Sequence, residues 1–169
     1  VSALAAALWF AYRSEVAPAA TKLLERSLVR LIQLSSDRST GVLLRMGTVF
    51  ERAEDPDLSW AALTADATPV SPTRLPNGVR SGIRATLPLI VTPKYLAWLK
   101  ARVAELGATF EHRTIANVSE LDADLVIVAA GIRGGDLLGD DQSVYPVRGQ
   151  IVRMSNPGLT EWVTDVDNP

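Results

Sequence analysis

Cysteine is absent and histidine occurs once, at His112, among 169 residues. The first absence removes disulfides and thiol chemistry. The second leaves any transition-metal site to carboxylates, and no metal-ligand spacing supports one, so no metal ligand is assigned. A nucleophile–base system would have to use His112, which lies between Glu111 and Arg113 in an alternating stretch and reads as an exposed strand residue. No catalytic residue is assigned either. The sequence has no G-x-S-x-G, no Walker loop and no G-x-G-x-x-G. Clustered Lys and Arg are also missing, and the formal charge is −2. That removes the electrostatic reason to bind nucleic acid or an anionic membrane. The apolar opening run, VSALAAALWFAY, is too short to span a bilayer and has no basic region ahead of it. It is expected to start a buried helix.

The most informative stretch is 124–138, DLVIVAAGIRGGDLL. Leu125, Val126, Ile127 and Val128 are apolar on consecutive positions, the pattern of a strand buried on both faces in the parallel sheet of an α/β domain. Small residues and three glycines, Gly131, Gly134 and Gly135, follow before apolar character resumes at Leu137. Such sheets take ligands at the carboxyl edge of their strands. Gly131 stands at that edge, with no Cβ to keep a backbone or cofactor away. By itself, GIRGG reads first as a structural turn.

A chain of 169 residues can form one domain burying roughly 70% of its unfolded surface. It begins at Val1 and ends on a turn-like Asp167-Asn168-Pro169, so it is read as a piece of a longer protein. After Pro18, Leu24, Leu28 and Leu31 recur at helical spacing with Lys22, Glu25, Arg26 and Arg30 between them, which predicts an amphipathic helix. Gly47 divides two short extended segments, 42–46 and 48–51, as a hairpin or a bend would. Glu51, Glu54, Asp55 and Asp57 around Pro56 read as a solvated loop, since nothing nearby would desolvate them. A Pro- and Gly-rich crossing at 64–82 leads to a second extended stretch at 83–91. The next helix has Thr92 as N-cap, Pro93 in the first position, a stripe of Leu96, Leu99, Val103 and Leu106, and Gly107 as its stop. Strands are expected at 109–115 and 125–128, and another within 146–154 after a turn at Arg148-Gly149.

Four segments in series, LAAALWFAY (4–12), YLAWLKARVAELGATF (95–110), DLVIVAAGIRGG (124–135) and PVRGQI (146–151), resemble D-amino-acid oxidase and its close relatives among FAD-dependent amine oxidases. The resemblance implies an α/β fold (mixed α+β): a partial Rossmann-like FAD-binding layer plus part of a mixed-sheet substrate domain. Residues 1–40 would be the helical part of the FAD-binding domain, and 41–91 substrate-domain strands and loops. The chain would return to the FAD-binding domain at 92–138, and 139–169 would start a second substrate-domain segment. The implied reaction is oxidation of an amino acid or amine by hydride transfer to FAD, with oxygen as final acceptor.

By position, the resemblance puts Ala6, Ala7 and Leu8 beside the flavin ring system, where a backbone N–H would stabilise charge on the reduced ring. It puts the backbone of Ile115 against the adenosine part, Ala130 and Gly131 at the end of the sheet strand, and Phe10 and Tyr12 toward the substrate cavity. Ala7 stands where relatives often carry Gly, and Ala130 where a hydroxyl residue is common. The family's glycine fingerprint for the FAD pyrophosphate and its substrate-carboxylate arginine fall outside these residues, so the chain alone is expected to be inactive. Implied partners are a small amino-acid or amine substrate and, for the full-length protein, a second copy in a homodimer, with neither nucleic acid nor membrane; a cytoplasmic location is expected. Two other readings stand beside this one: a glycine- or sarcosine-type oxidase, and a non-catalytic nucleotide-binding or scaffold module.

Overall fold

The computed structural model describes residues 5, 7–10, 18–139, 145–146 and 149–166. They fall into two units, Val1–Leu106 with Ser155–Pro169, and Gly107–Met154.

The first unit is built on a mixed sheet. Its strands are β1 (Ala7–Leu8), β2 (Val42–Glu51), β3 (Thr68–Pro69), β4 (Ser81–Ile90) and β5 (Trp162–Val166), in the order β1-β4-β2-β5 with β3 also beside β4. β2 and β4 pair antiparallel along their full length, from Val42 opposite Ile90 to Glu51 opposite Ser81, and β5 joins β2 in parallel. Directly paired residues share a face. Val49 with Ile83 and Gly47 with Ala85 therefore build one side of the sheet, where Val49, Ala85 and Leu87 form a core with Trp9, Leu28, Trp60 and Trp162. The two segments expected on either side of Gly47 are one continuous strand. Gly47 neither turns nor bends it: the bare Cα admits the Trp162 ring, which occupies the space a Cβ would need.

Helix α1 (Pro18–Ser35) follows its apolar spacing, with Leu28 and Leu34 buried and Leu23, Val29 and Ile32 exposed. Trp9 Nε1 donates to Ser27 Oγ at 2.8 Å, and that hydroxyl donates on to Leu24 O at 2.7 Å, linking the helix to the segment after β1. Gly41, at φ +74°, closes the turn into β2; a Cβ there would press on Lys94 and Tyr95 of α2 (Thr92–Glu105). Only glycine meets both demands at low cost. Thr92 is the first residue of α2 rather than its cap, and its hydroxyl donates to Ala5 O at 3.0 Å. No residue of α2 is buried; Leu96, Leu99 and Leu106 of its apolar stripe are all exposed.

Within the opening run, Ala7 and Leu8 form strand β1 where a helix start was expected. Leu8 pairs with Leu89 and Ala7 with Ile90, while Trp9 N–H donates to Pro88 O at 2.9 Å. The outer side of β4 is thereby accounted for residue by residue. Gly82 O accepts from Val70 N–H, Arg84 faces Thr68, Thr86 N–H donates to the Asp66 carboxylate at 3.0 Å, and Pro88 has no N–H to satisfy. A long exposed edge is thus closed by two short strands, a carboxylate and a proline.

The Thr86 bond holds the Asp66 carboxyl below its ordinary value of 3.8, and bonds from Ser39, Ser59 and Arg52 lower Asp37, Asp57 and Asp165 in the same way. Groups with depressed folded values contribute stability that is present above the unfolded value and lost as pH falls through the folded one. Urea midpoints are expected to be level from neutral pH down to about pH 5 and to decline below pH 4. Replacing Asp66 with Asn should flatten the decline, and an unchanged acid slope would remove Asp66 from this account.

The second unit contains a capping box in which Asn117 Oδ1 accepts from Ser119 N–H and Glu120 Oε1 accepts from Asn117 N–H. It also contains a one-turn 3₁₀ helix (Gly131–Arg133) that runs into the short helix α3 (Gly134–Leu137). The expected strands at 109–115 and 125–128 carry no ladder among the described residues, and Leu125 and Ile127 are 77% and 83% exposed. A strand is specified by its neighbour, and apolar residues on both faces predict burial that this unit does not supply on its own.

Candidate functional site

Of the candidate residues of the first unit, Ala7 and Leu8 sit on β1 and Phe10 follows it. In an antiparallel ladder, N–H groups alternate between facing the partner strand and facing away. Because Trp9 N–H is bonded to Pro88 O, the Leu8 N–H one position earlier turns away from β4, toward the open side of the sheet. Ala7 and Leu8 are half-buried, and the Phe10 ring meets Trp60 edge-on at 5.2 Å between centroids. The pieces are therefore a short edge strand with an outward backbone donor and an aromatic anchored against a buried tryptophan. Ala6 and Tyr12 lie outside the described residues, as does Arg148.

In the second unit, Ile115 is half-buried and precedes two backbone N–H groups, those of Ala116 and Asn117, that both donate to Glu120 Oε1. This pins the backbone just past Ile115. Ala130 is exposed, and Gly131 adopts φ +60° with nothing within 4 Å of where its Cβ would stand. The left-handed backbone favours glycine, and the bare face leaves room for close approach. Gly134 and Gly135 are buried, and a Cβ on Gly134 would touch Val128 at 3.6 Å. Within the glycine run, Gly131 turns the chain, while Gly134 packs next to Val128 at a distance where a Cβ would make ordinary contact.

His112 is exposed, and among the described residues no group of three or more His, Cys, Asp or Glu side chains could hold a metal ion. No described helix is long and apolar enough to cross a membrane. Of the acidic residues read as one solvated loop, Glu54, Asp55 and Asp57 are exposed, whereas Glu51 belongs to β2 and is buried.

One feature lay beyond sequence reading: a cleft of about 440 Å³ beside β2 and β5, lined in part by Arg45, Leu89 and Trp162. Two of its lining residues are joined by Trp162 Nε1 donating to Arg45 O at 2.7 Å, across 117 positions of sequence. The available signal was Gly47, a glycine inside an otherwise apolar strand, which marks a close approach without saying by what.

No family model matches the chain. It is 34% identical over 171 residues to a D-amino-acid oxidase of Rubrobacter xylanophilus, covering 99% of this chain and 52% of that protein. It is likewise 34% identical over 176 residues to a D-amino-acid oxidase of Streptomyces coelicolor, covering 98% of this chain and 51% of that protein. A shorter match, 40% identical over 62 residues, is to D-aspartate oxidase 1 of Caenorhabditis elegans, over 35% of this chain and 19% of that protein. The chain spans about half the length of the first two curated relatives.

Proposed function

The chain belongs to the D-amino-acid oxidase family, and from that premise we propose that it forms part of an FAD-dependent oxidoreductase acting on an amino acid. The observation that carries the proposal is the match to two bacterial D-amino-acid oxidases over nearly the whole chain. The non-catalytic module has no comparable support.

FAD, when bound, supplies the acceptor for a hydride from the substrate α-carbon, with oxygen taking the electrons onward. The residues present fit contacts of that kind, each taken within its own unit. Ala6, Ala7 and Leu8 would line the ring system, with the outward Leu8 N–H directed at its polar edge; a strand donor with no partner among the described residues is suited to stabilise negative charge there. Phe10 and Tyr12 would approach the substrate, and the Phe10 ring is held for this by its edge contact with Trp60. Ile115 would offer backbone to the adenosine part. Ala130 and Gly131 would allow close approach, a role suited to a glycine with open space over its Cα. No side chain here is assigned a proton-transfer role. The chain's work in this reading is to bind, orient and exclude water. Residues 1–40 and 92–138 would serve the cofactor, and 41–91 and 139–169 the substrate side. The complete protein is proposed to be cytoplasmic, to bind neither nucleic acid nor membrane, and to pair as a homodimer.

The test is oxygen uptake by the complete polypeptide with FAD and a panel of D- and L-amino acids, glycine and sarcosine. Uptake with D-amino acids is expected. Uptake with glycine or sarcosine alone would move the assignment to that related class, and none with any substrate would sink it. In the same protein, Gly131→Val forces a branched side chain into a left-handed backbone at about 1–2 kcal/mol. If Gly131 contacts FAD, its dissociation constant should rise about tenfold. An unchanged constant would leave Gly131 as a turn residue only.

A further inference from the structure

Arg45 is oddly placed by charge. Its ladder partner Leu87 is fully buried, and the next residue on its face is Gly47, with the Trp162 indole over it. Three other arginines of this sheet and its flanks are matched with carboxylates: Arg52 with Asp165, Arg80 with Glu54 and Arg84 with Glu161. The Arg45 side chain has no acidic partner among the described residues, while its backbone is engaged by the ladder with Leu87 and by Trp162 Nε1 at the carbonyl.

Arg45, an exposed residue, lines the cleft of about 440 Å³, whose apolar lining is Leu89, Leu159 and Trp162. The volume lies within the range of small-ligand sites, which combine apolar walls with a few polar groups. Its other polar side chains are mostly committed. Glu161 is held by Arg84 at 2.8 Å, and Asn156 fastens its own turn, its Oδ1 accepting from Gly158 and Leu159 N–H and its Nδ2 donating to Leu159 O. What is left is a partly apolar recess with one guanidinium fork that has no ion pair among the described residues, and such a fork can receive a carboxylate through two parallel bonds. The Glu161 carboxylate at the same rim disfavours a dianion such as phosphate by like-charge repulsion, so a single negative charge fits best.

We propose that this cleft binds a small monocarboxylate with a short branched apolar body. Arg45 takes the carboxylate, and Leu89, Leu159 and the indole cover the body. The inference goes beyond the flavoenzyme reading and does not depend on it.

The test titrates the ¹⁵N-labelled full chain with sodium 4-methylpentanoate and follows the indole N–H resonances of its four tryptophans. The Trp162 resonance, identified by its loss in Trp162→Phe, reports on residue 45 through the 2.7 Å bond. It should shift saturably, with a half-point on the order of 1 mM, while the other three stay still. Acetate, which keeps the charge, and 4-methylpentan-1-ol, which keeps the body, should each bind at least about tenfold more weakly, as should 4-methylpentanoate to Arg45→Gln. A shift that never saturates, equal binding of the alcohol, or an equal response in Arg45→Gln overturns the site. If Arg45→Gln does not fold, Arg45→Lys keeps the charge without the fork and should weaken binding about threefold; unchanged binding there overturns it as well.

Discussion

Mixed with FAD and passed over a sizing column, the 169-residue chain should emerge without flavin absorbance. None of its eleven glycines falls in a G-x-G-x-x-G pattern, so it lacks the turn and helix N-terminus that hold a dinucleotide pyrophosphate. If that element supplies about four charge-assisted hydrogen bonds at roughly 1.5 kcal/mol each, its loss weakens binding by about 6 kcal/mol, on the order of ten-thousand-fold. The residues proposed to touch FAD here offer a backbone donor at Leu8 and close approach at Gly131, neither of which replaces a charge-assisted cradle. A yellow complex of one flavin per chain would show that the pyrophosphate dominates affinity less than this estimate requires. The complete polypeptide, prepared in parallel, separates weak binding by the chain from a protein that does not bind FAD at all.

Gly47→Ala should be among the most damaging single substitutions in the first unit. Its Cβ would fall within the ring of Trp162 and against the Trp162 carbonyl, so both the indole and the backbone of β5 would have to move. Displacing them also breaks the bond from Trp162 Nε1 to Arg45 O and opens a core that includes Val49, Ala85 and Leu87. Overpacking of this kind costs about 1–3 kcal/mol, and partial loss of a buried tryptophan brings the expected total to about 3 kcal/mol. For a chain of this size, that lowers the melting temperature by roughly 6–12 °C. Pairing Gly47→Ala with Trp162→Ala should recover about 1–2 kcal/mol relative to the sum of the single effects, because the two residues occupy one space. Stability within about 0.5 kcal/mol of the parent in the single variant would mean that Trp162 does not lie over residue 47.

The long elements were legible in the sequence because their signals are local. Leu24, Leu28 and Leu31 at helical spacing became α1, and Thr92-Pro93 to Gly107 bracketed α2 to within a residue. The acidic residues around Pro56 are exposed, apart from Glu51. Misreadings came where one segment's state depends on another. The opening run was read as helix because small and apolar residues without alternation suit one, yet Ala7 and Leu8 are strand because β4 offers them Ile90 and Leu89. Gly47 was read as a break in the chain and proved to be a gap in a surface, filled by a side chain that arrives from far along the sequence.

Sequence by itself determined the family, since identity along nearly the whole chain needs no coordinates. It also determined the α1 and α2 helices and the glycine turn at 131, because helix periodicity, caps and positive-φ positions are written in neighbouring residues. Only the tertiary structure decided which way the Leu8 N–H faces, that Asp66 closes the edge of β4 at Thr86, and that Arg45 shares a cleft with Trp162. Each of those depends on strand register, where a slip of one position exchanges the two faces, and register is set by long-range pairing rather than by any local run of residues.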